Sequence, residues 1–470
     1  MHGRRQNIVF TAVLLSAGFS LTQLRSAPLE RPPLAIVNVG VIDTVARRLV
    51  TPCTVLIVDG RITAVGESFA VSIPDGAVEV DGRGRFLIPG LVDMHVHLFN
   101  NSSQRPPNEW AFPLCIANGV TGVREMRSVA AQIPIMARWR AEVERGELVA
   151  PRVLAAGIAV RGESVDEARR QVREAKSAGA DFIKVFSDVP AMHWRAILDE
   201  ARAGKLTVCG HTPAEVSALT AAKAGQRSNE HLMQLFEACS SMEGELLAAR
   251  QGFKGASAEK IRETQEAQVL ETFDQHACEK TAAALAKTDQ FQVPTLVLPH
   301  SEANRVRPKF REDFRWQLLP SDEQERWTRI LEQTEENNQA RQRWEVARKI
   351  VAALHSAGVP ILAGTDAPMP LVYPGDALHD ELGLLVECGL SPAEALRAAT
   401  LGPAEFLGIA DTSGSIAVGK RADLILLDDN PLRDISNTRK IRAVVLSGRL
   451  IERPDLDALL EKASRRAEPR

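Results

Sequence analysis

Hydrophobic and polar positions alternate along this chain in two textures. From residue 34 to 88 the apolar residues come in short runs suited to strands. Val55-Leu56-Ile57-Val58 and Ile62-Thr63-Ala64-Val65 flank Asp59-Gly60-Arg61, a hairpin signal. The same texture returns in Ile416-Ala417-Val418, Ala422-Asp423-Leu424-Ile425-Leu426-Leu427 and Val444-Val445-Leu446-Ser447-Gly448. Two β-rich ends, residues 28–88 and 412–452, predict one small β-sandwich assembled from both.

The middle, residues 89–411, alternates strand and helix with clear punctuation. Ser164-Val165-Asp166-Glu167 is a capping box whose helix ends at Gly179, a residue that tolerates the left-handed C′ position. Asp181 to Phe186 is then a strand, a helix runs from about Met192 to Arg202, and Leu206 to His211 is the next strand. Pro213 to Ala224 reads as helix and stops at Gly225, ahead of a strand ending near Glu230-His231. Such repeating βα units argue for a parallel sheet covered by helices. Residues 240–353 are helical and heavily charged, an insertion interrupted by one strand, Val293 to Leu298, and placed where it would act as a lid. Val359 to Asp366 is a further strand, and Ser391-Pro392-Ala393-Glu394 opens a helix with a capping box and proline at its first position. Residues 453–470 read as a charged terminal helix or tail.

The N-terminus departs from this pattern. Arg4 and Arg5 precede an apolar run from Ile8 to Leu21, short for a membrane span and suited to a secretory leader covering residues 1–27. This predicts a secreted or periplasmic protein, with an uncleaved anchor as the alternative. The 470 residues are 45% hydrophobic and 25% charged with a formal net charge of −3, which gives no reason to expect nucleic acid or an anionic membrane as partner and leaves a small-molecule substrate. Six cysteines lack metal-ribbon spacing. Export would permit a disulfide, although buried free thiols are the expected state for most.

Chemistry is concentrated at strand ends. In Leu91-Val92-Asp93-Met94-His95-Val96-His97, residues two apart on a strand face the same way, so both imidazoles aim at one spot and suit a cation such as Zn²⁺. Lys184, His211, His231 and Asp366 also fall at the C-terminal ends of strands, the face where a (β/α)8 barrel builds its active site. Lys184 and His211 are 27 residues apart and His211 and His231 are 20 apart, each about one βα unit. Singly, His211 would serve as a helix cap, His231 as a core histidine and Asp366 as an N-cap. Together the six form a metal-compatible set.

These motifs, with Ile183-Lys184-Val185, Gly210-His211, Glu230-His231, Gly364-Thr365-Asp366 and Gly419-Lys420-Arg421-Ala422-Asp423-Leu424, resemble the binuclear-metal branch of the amidohydrolase superfamily. Gly119-Val120-Thr121, Leu378-His379-Asp380-Glu381-Leu382 and Ser391-Pro392-Ala393-Glu394-Ala395-Leu396 are similar to the members related to imidazolonepropionase and Xaa-Pro-type dipeptidases. The resemblance implies an α/β fold, a (β/α)8 TIM barrel with a small β-sandwich domain. It also implies two divalent metals, zinc by preference. His95, His97 and Asp366 would hold one, His211 and His231 the other, and a carbamate on Lys184 would bridge them. A metal-bridging hydroxide would attack an amide of the peptide or N-acyl amino acid type, with Asp366 as proton shuttle. Ser187-Asp188-Val189-Pro190 replaces the Gly-rich stretch that many dipeptidase relatives carry after the lysine strand, so the neighbouring substrate loop is expected to differ.

A cyclic amide or lactone is the alternative substrate, and a non-catalytic exported metal-binding protein is the reading from another class. His300, His379, Arg124 and Arg161 are candidate substrate contacts, the arginines because a guanidinium grips a carboxylate through two bonds. The leader makes the first prediction. N-terminal sequencing of protein from its native host should find a mature start between about residues 18 and 28; an intact Met1 on soluble protein would rule the leader out.

Overall fold

The computed structural model describes residues 32–100, 106–304, 309–333 and 338–467, so the predicted leader lies outside the described residues. The two β-rich ends do combine. The N-terminal part supplies β1 (Leu34–Asp43), β2 (Arg48–Val58), β3 (Arg61–Glu67), β4 (Val78–Asp81) and β5 (Phe86–Pro89). Asp59 and Gly60, both with positive φ (50° and 73°), turn β2 into β3 as the Asp-Gly signal requires.

From β5 the chain passes straight into the barrel through Gly90, where a Cβ would lie 2.0 Å from the Thr121 hydroxyl oxygen. Pro89-Gly90, a pair that usually marks a turn, is here a strand-to-strand passage with no room for a side chain. The barrel strands are β6 (Leu91–Val96), β7 (Val120–Ser128), β8 (Arg152–Ala159), β9 (Phe182–Val185), β10 (Thr207–Gly210), β11 (Gln226–Glu230) and β12 (Phe291–Val293). They pair in sequence order, all parallel.

Residues 361–367 supply the eighth stave. Leu362 N donates to Gln292 O at 2.9 Å on one side, and Met94 N to Ala363 O at 3.0 Å on the other. Asp366 N donates to His95 O at 2.7 Å and His97 N to Ala367 O at 2.8 Å, so the ring is closed. The fold is α/β, a barrel of the (β/α)8 kind.

β13 (Leu424–Leu427), β14 (Ile441–Leu446) and β15 (Arg449–Glu452) complete the small sheet, in the order β15-β14-β13-β5-β1-β2-β3 with β4 alongside β1. The stretch leading into β13 also bonds to β3, through Ile62 N to Lys420 O at 2.9 Å and Gly419 N to Ile62 O at 2.8 Å. The expected sandwich is therefore one sheet rolled on itself around Ile36, Val55, Ile62, Leu87, Leu424 and Val445.

Two element boundaries and one helix cap differ from the sequence pattern. The strand expected at Val293 to Leu298 stops at Val293, because Pro294 has no amide to donate and Thr295 turns to φ 49°; Val297–Ala303 is a helix. The helix expected from Pro213 begins at Ala218, where the Ser217 hydroxyl accepts from Thr220 N at 3.2 Å. Ser164 caps its helix, but Glu167 turns its carboxylate to Arg170 and Gln171 rather than closing the box. β12 divides the charged region into two excursions, which return to the barrel through the helices Gln275–Leu285 and Asn338–Ser356. All six cysteines are free and buried.

Inside the barrel lies Arg124, fully buried. It donates to Met94 O at 2.6 Å, to the Ser228 hydroxyl at 3.2 Å and to both Glu230 oxygens at 3.0 Å, over the rings of Phe182 and Phe406. The expectation that Arg124 grips substrate is corrected: its donors are spent within the barrel wall. Arg124→Met should leave a carboxylate buried without its cation and cost roughly 3–5 kcal/mol, read as a lowered urea midpoint. An unchanged midpoint would show that Glu230 is neutralised in another way.

Candidate active site

His95 stands at the end of β6, and His97 lies just beyond it. Asp366 reaches both: its Oδ1 is 3.1 Å from His95 Nε2 and 2.7 Å from His97 Nε2. The three residues offer ligand atoms within 4.8 Å of one another. Yet His95 Nε2, His97 Nδ1, His211 Nδ1 and Asp366 Oδ1 are buried with no hydrogen-bond partner. Buried polar atoms are normally satisfied, and the close, unpartnered pair His95 Nε2 and Asp366 Oδ1, with His97 Nε2 beside it, fits a cation among them. The His211 and His231 rings adjoin, with centroids 5.1 Å apart, and His231 lies 4.6 Å from the His95 ring.

The surrounding groups orient these imidazoles. His95 Nδ1 meets Glu230 Oε2 at 2.9 Å, which leaves its Nε2 lone pair facing Asp366. His231 Nδ1 meets the Thr295 hydroxyl at 2.7 Å, and that hydroxyl donates to Pro294 O, so His231 is the donor and its Nε2 is free to bind. Asp93 accepts from the Thr365 hydroxyl at 2.6 Å, from Thr365 N at 3.0 Å and from His95 N at 3.1 Å, tying β6 to the stave that carries Asp366. Asp366, His231 and Thr295 all adopt positive φ (68°, 58° and 49°), strain of the kind that gathers at functional sites.

Burial shapes the protonation states. It lowers His97 to about 4 and His231 to about 3, and takes His211 well below the usual imidazole range. These three are neutral, as metal ligands must be. For His95 burial acts downward, but Asp366 and Glu230 outweigh it and the net direction is upward. Burial lowers Lys184 on β9 to about 8, against the pull of Glu230 and Asp366. The packing allows that lysine through: a Cβ on Gly210 would lie 2.7 Å from Lys184 Cδ and 2.3 Å from Val185 O.

The remaining candidates fall elsewhere. His379 is buried with both ring nitrogens engaged, by the Thr438 hydroxyl and Asn118 O at 2.9 Å each, which corrects its assignment to substrate. His300 packs edge-on against Trp344, while Leu298, Pro299 and Glu302 beside it line a cavity of about 420 Å³. His211, His231 and Asp366 form one wall of that cavity, and Glu266 and Arg343 from the two excursions form part of another. Arg161 pairs with Asp188 at 3.0 Å and covers the Phe186 ring at 4.1 Å. Reasoning from sequence missed Glu230 and Asp93 as orienting groups. The available signal was a strand, Gln226–Glu230, made of polar residues in the middle of a parallel sheet.

Comparison with known proteins agrees with this geometry. A putative prolidase from Bifidobacterium longum superimposes with a TM-score of 0.64 at 25% identity, over 92% of this chain and 99% of that one. Adenine deaminase 2 of Agrobacterium fabrum is 39% identical over 124 residues, 25% of this chain and 20% of its own length. Imidazolonepropionase of Deinococcus deserti is 40% identical over 86 residues, 18% of this chain and 21% of its own. The chain thus matches about a fifth of the length of these curated relatives. The profile of the amidohydrolase family matches residues 86–451, from β5 through the whole barrel and back into β15, and the protein belongs to that family.

Proposed function

We propose that the protein is an exported hydrolase that uses two divalent metals to cut an amide bond, in a dipeptide or an N-acyl amino acid. The observation that carries this reading is the buried cluster of His95, His97 and Asp366, in which His95 Nε2 and Asp366 Oδ1 lie 3.1 Å apart and neither has a hydrogen-bond partner. His95, His97 and Asp366 would hold one ion, His211 and His231 the other. Lys184 would join them after its amine takes up CO₂ and releases a proton, giving an anionic carbamate with two oxygens. Its lowered proton affinity favours the free amine that this step needs. Ions bound there would lower the pKa of a shared water and polarise the carbonyl.

The protein's own groups do the rest. Asp366 borders the cavity, held by its backbone bond to His95, and in this reading takes the proton of the attacking water and passes it to the leaving amine. Leu232, Met233, Phe236 and Leu298 give the cavity apolar walls suited to an acyl chain. The stretch shared with adenine deaminase 2 favours a second reading, hydrolytic loss of ammonia from a ring. Zinc-loaded protein should cleave members of a panel of dipeptides and N-acyl amino acids and spare lactones and adenine. Release of ammonia from adenine alone would favour the second reading.

Asp366→Asn should lower kcat at least ~10²-fold while part of the metal stays, because the proton relay is lost and the other ligands remain; turnover like the wild type would place the relay elsewhere. Lys184→Ala should lose bound metal, counted by elemental analysis from near two equivalents, and activity together. Short carboxylates should partly restore both by supplying the bridge. Two metals and full activity in that variant would overturn the carbamate bridge.

A further inference from the structure

β7 runs past Arg124 to Ser128, and its penultimate residue, Arg127, stands at the C-terminal end of the barrel. The pairing with β8 shifts between Glu125 and Ser128, and Arg127 N donates to Glu125 Oε1 at 2.8 Å. The Arg127 guanidinium is partly buried, and no hydrogen bond or ion pair joins it to any described residue. A buried cation without a partner is costly. The charges that act on it are Glu125, Asp366 and Arg161.

None of the three neutralises it closely. Glu125 spends its oxygens on the amides of Leu98 and Arg127. Asp366 turns Oδ1 to two imidazoles. Arg161 is a like charge, already paired with Asp188. Arg161 also marks the distance to the reacting centre: it covers one side of Phe186, whose ring meets His211 at 5.3 Å and lies 5.3 Å from Lys184 Nζ. A positive rim is thus held beside the site, outside the lining of the apolar cavity.

We propose that Arg127 anchors a carboxylate on the substrate, on the leaving-amine side of the scissile bond. This rests on the amide-hydrolase reading and assigns the group that recognises the leaving side: the free α-carboxylate of a dipeptide or N-acyl amino acid would meet Arg127, with the acyl group in the apolar cavity. In such a molecule the carboxylate is on the carbon next to the scissile nitrogen. One anchor then fixes which side of the amide faces Asp366. A guanidinium suits this task because its paired donors match both carboxylate oxygens.

Equilibrium binding to zinc-loaded protein separates the two readings. The probes are N-acetyl-L-amino acids and their C-terminal amides, titrated by calorimetry into wild type, Arg127→Met and Arg127→Lys, each in an Asp366→Asn background that slows turnover; hydrolysis of the acids is followed in the unmodified protein. On wild type the acids should bind about tenfold or more tighter than the amides. Arg127→Met should bring that ratio below about two without changing the affinity for the amides, and Arg127→Lys should keep part of it. An undiminished ratio in a folded Arg127→Met overturns the anchor, as does a wild type that binds no acid or does not distinguish acid from amide. Acids bound through Arg127 but never hydrolysed would instead sink the amide-hydrolase reading and leave the anchor standing.

Discussion

The site depends on one closure, the bond from Asp366 N to His95 O at 2.7 Å. The eighth stave is irregular, yet it must bond to β6 and β12 at once, and Gly364 allows this: a Cβ there would lie 2.7 Å from Val293 Cγ1 and 3.0 Å from His95 Cβ. Closing the ring sets the aspartate opposite the two histidines of β6 although the residues are far apart in sequence. Asp93 repeats the link by accepting from both staves. Seam and ligand cluster are therefore the same piece of structure, and a change that opens one disperses the other.

A second constraint runs along the barrel axis. Glu230 is buried and held as an anion, its burial outweighed by Arg124 and His95. Arg124 answers the charge from within the barrel, and His95 takes up the other face of the carboxylate. Removing any of the three leaves a charge or a lone pair without compensation in a low-dielectric interior. The cost of holding this network is consistent with a role in fixing which His95 nitrogen faces the ligand cluster.

Around this centre, the groups that border the cavity and the rim come from places the barrel does not dictate. Glu266 and Arg343 reach the cavity from two separate excursions and pair with each other there. Arg127 and Arg161 come from the ends of neighbouring strands. Loops and strand ends vary without disturbing a closed sheet, which is why specificity in barrel enzymes resides in them.

Local chemistry is legible along the chain: the Asp-Gly hairpin, the capped helices, the βα repeat and the six candidate residues at strand ends. Each follows from side-chain period, turn conformation or capping, all set within a few residues. The sequence alone did not separate Arg124 from Arg127. Both lie on one strand, three residues apart, and only the register shift and the position of Glu230 decide that the first is buried in the barrel while the second reaches the rim. His379 read as a substrate contact until tertiary packing placed Thr438 and Asn118 against its two nitrogens. Spacing along a chain tells which residues share a face. Which charge finds its partner inside the barrel is fixed by contacts between strands far apart in the chain, which spacing cannot show.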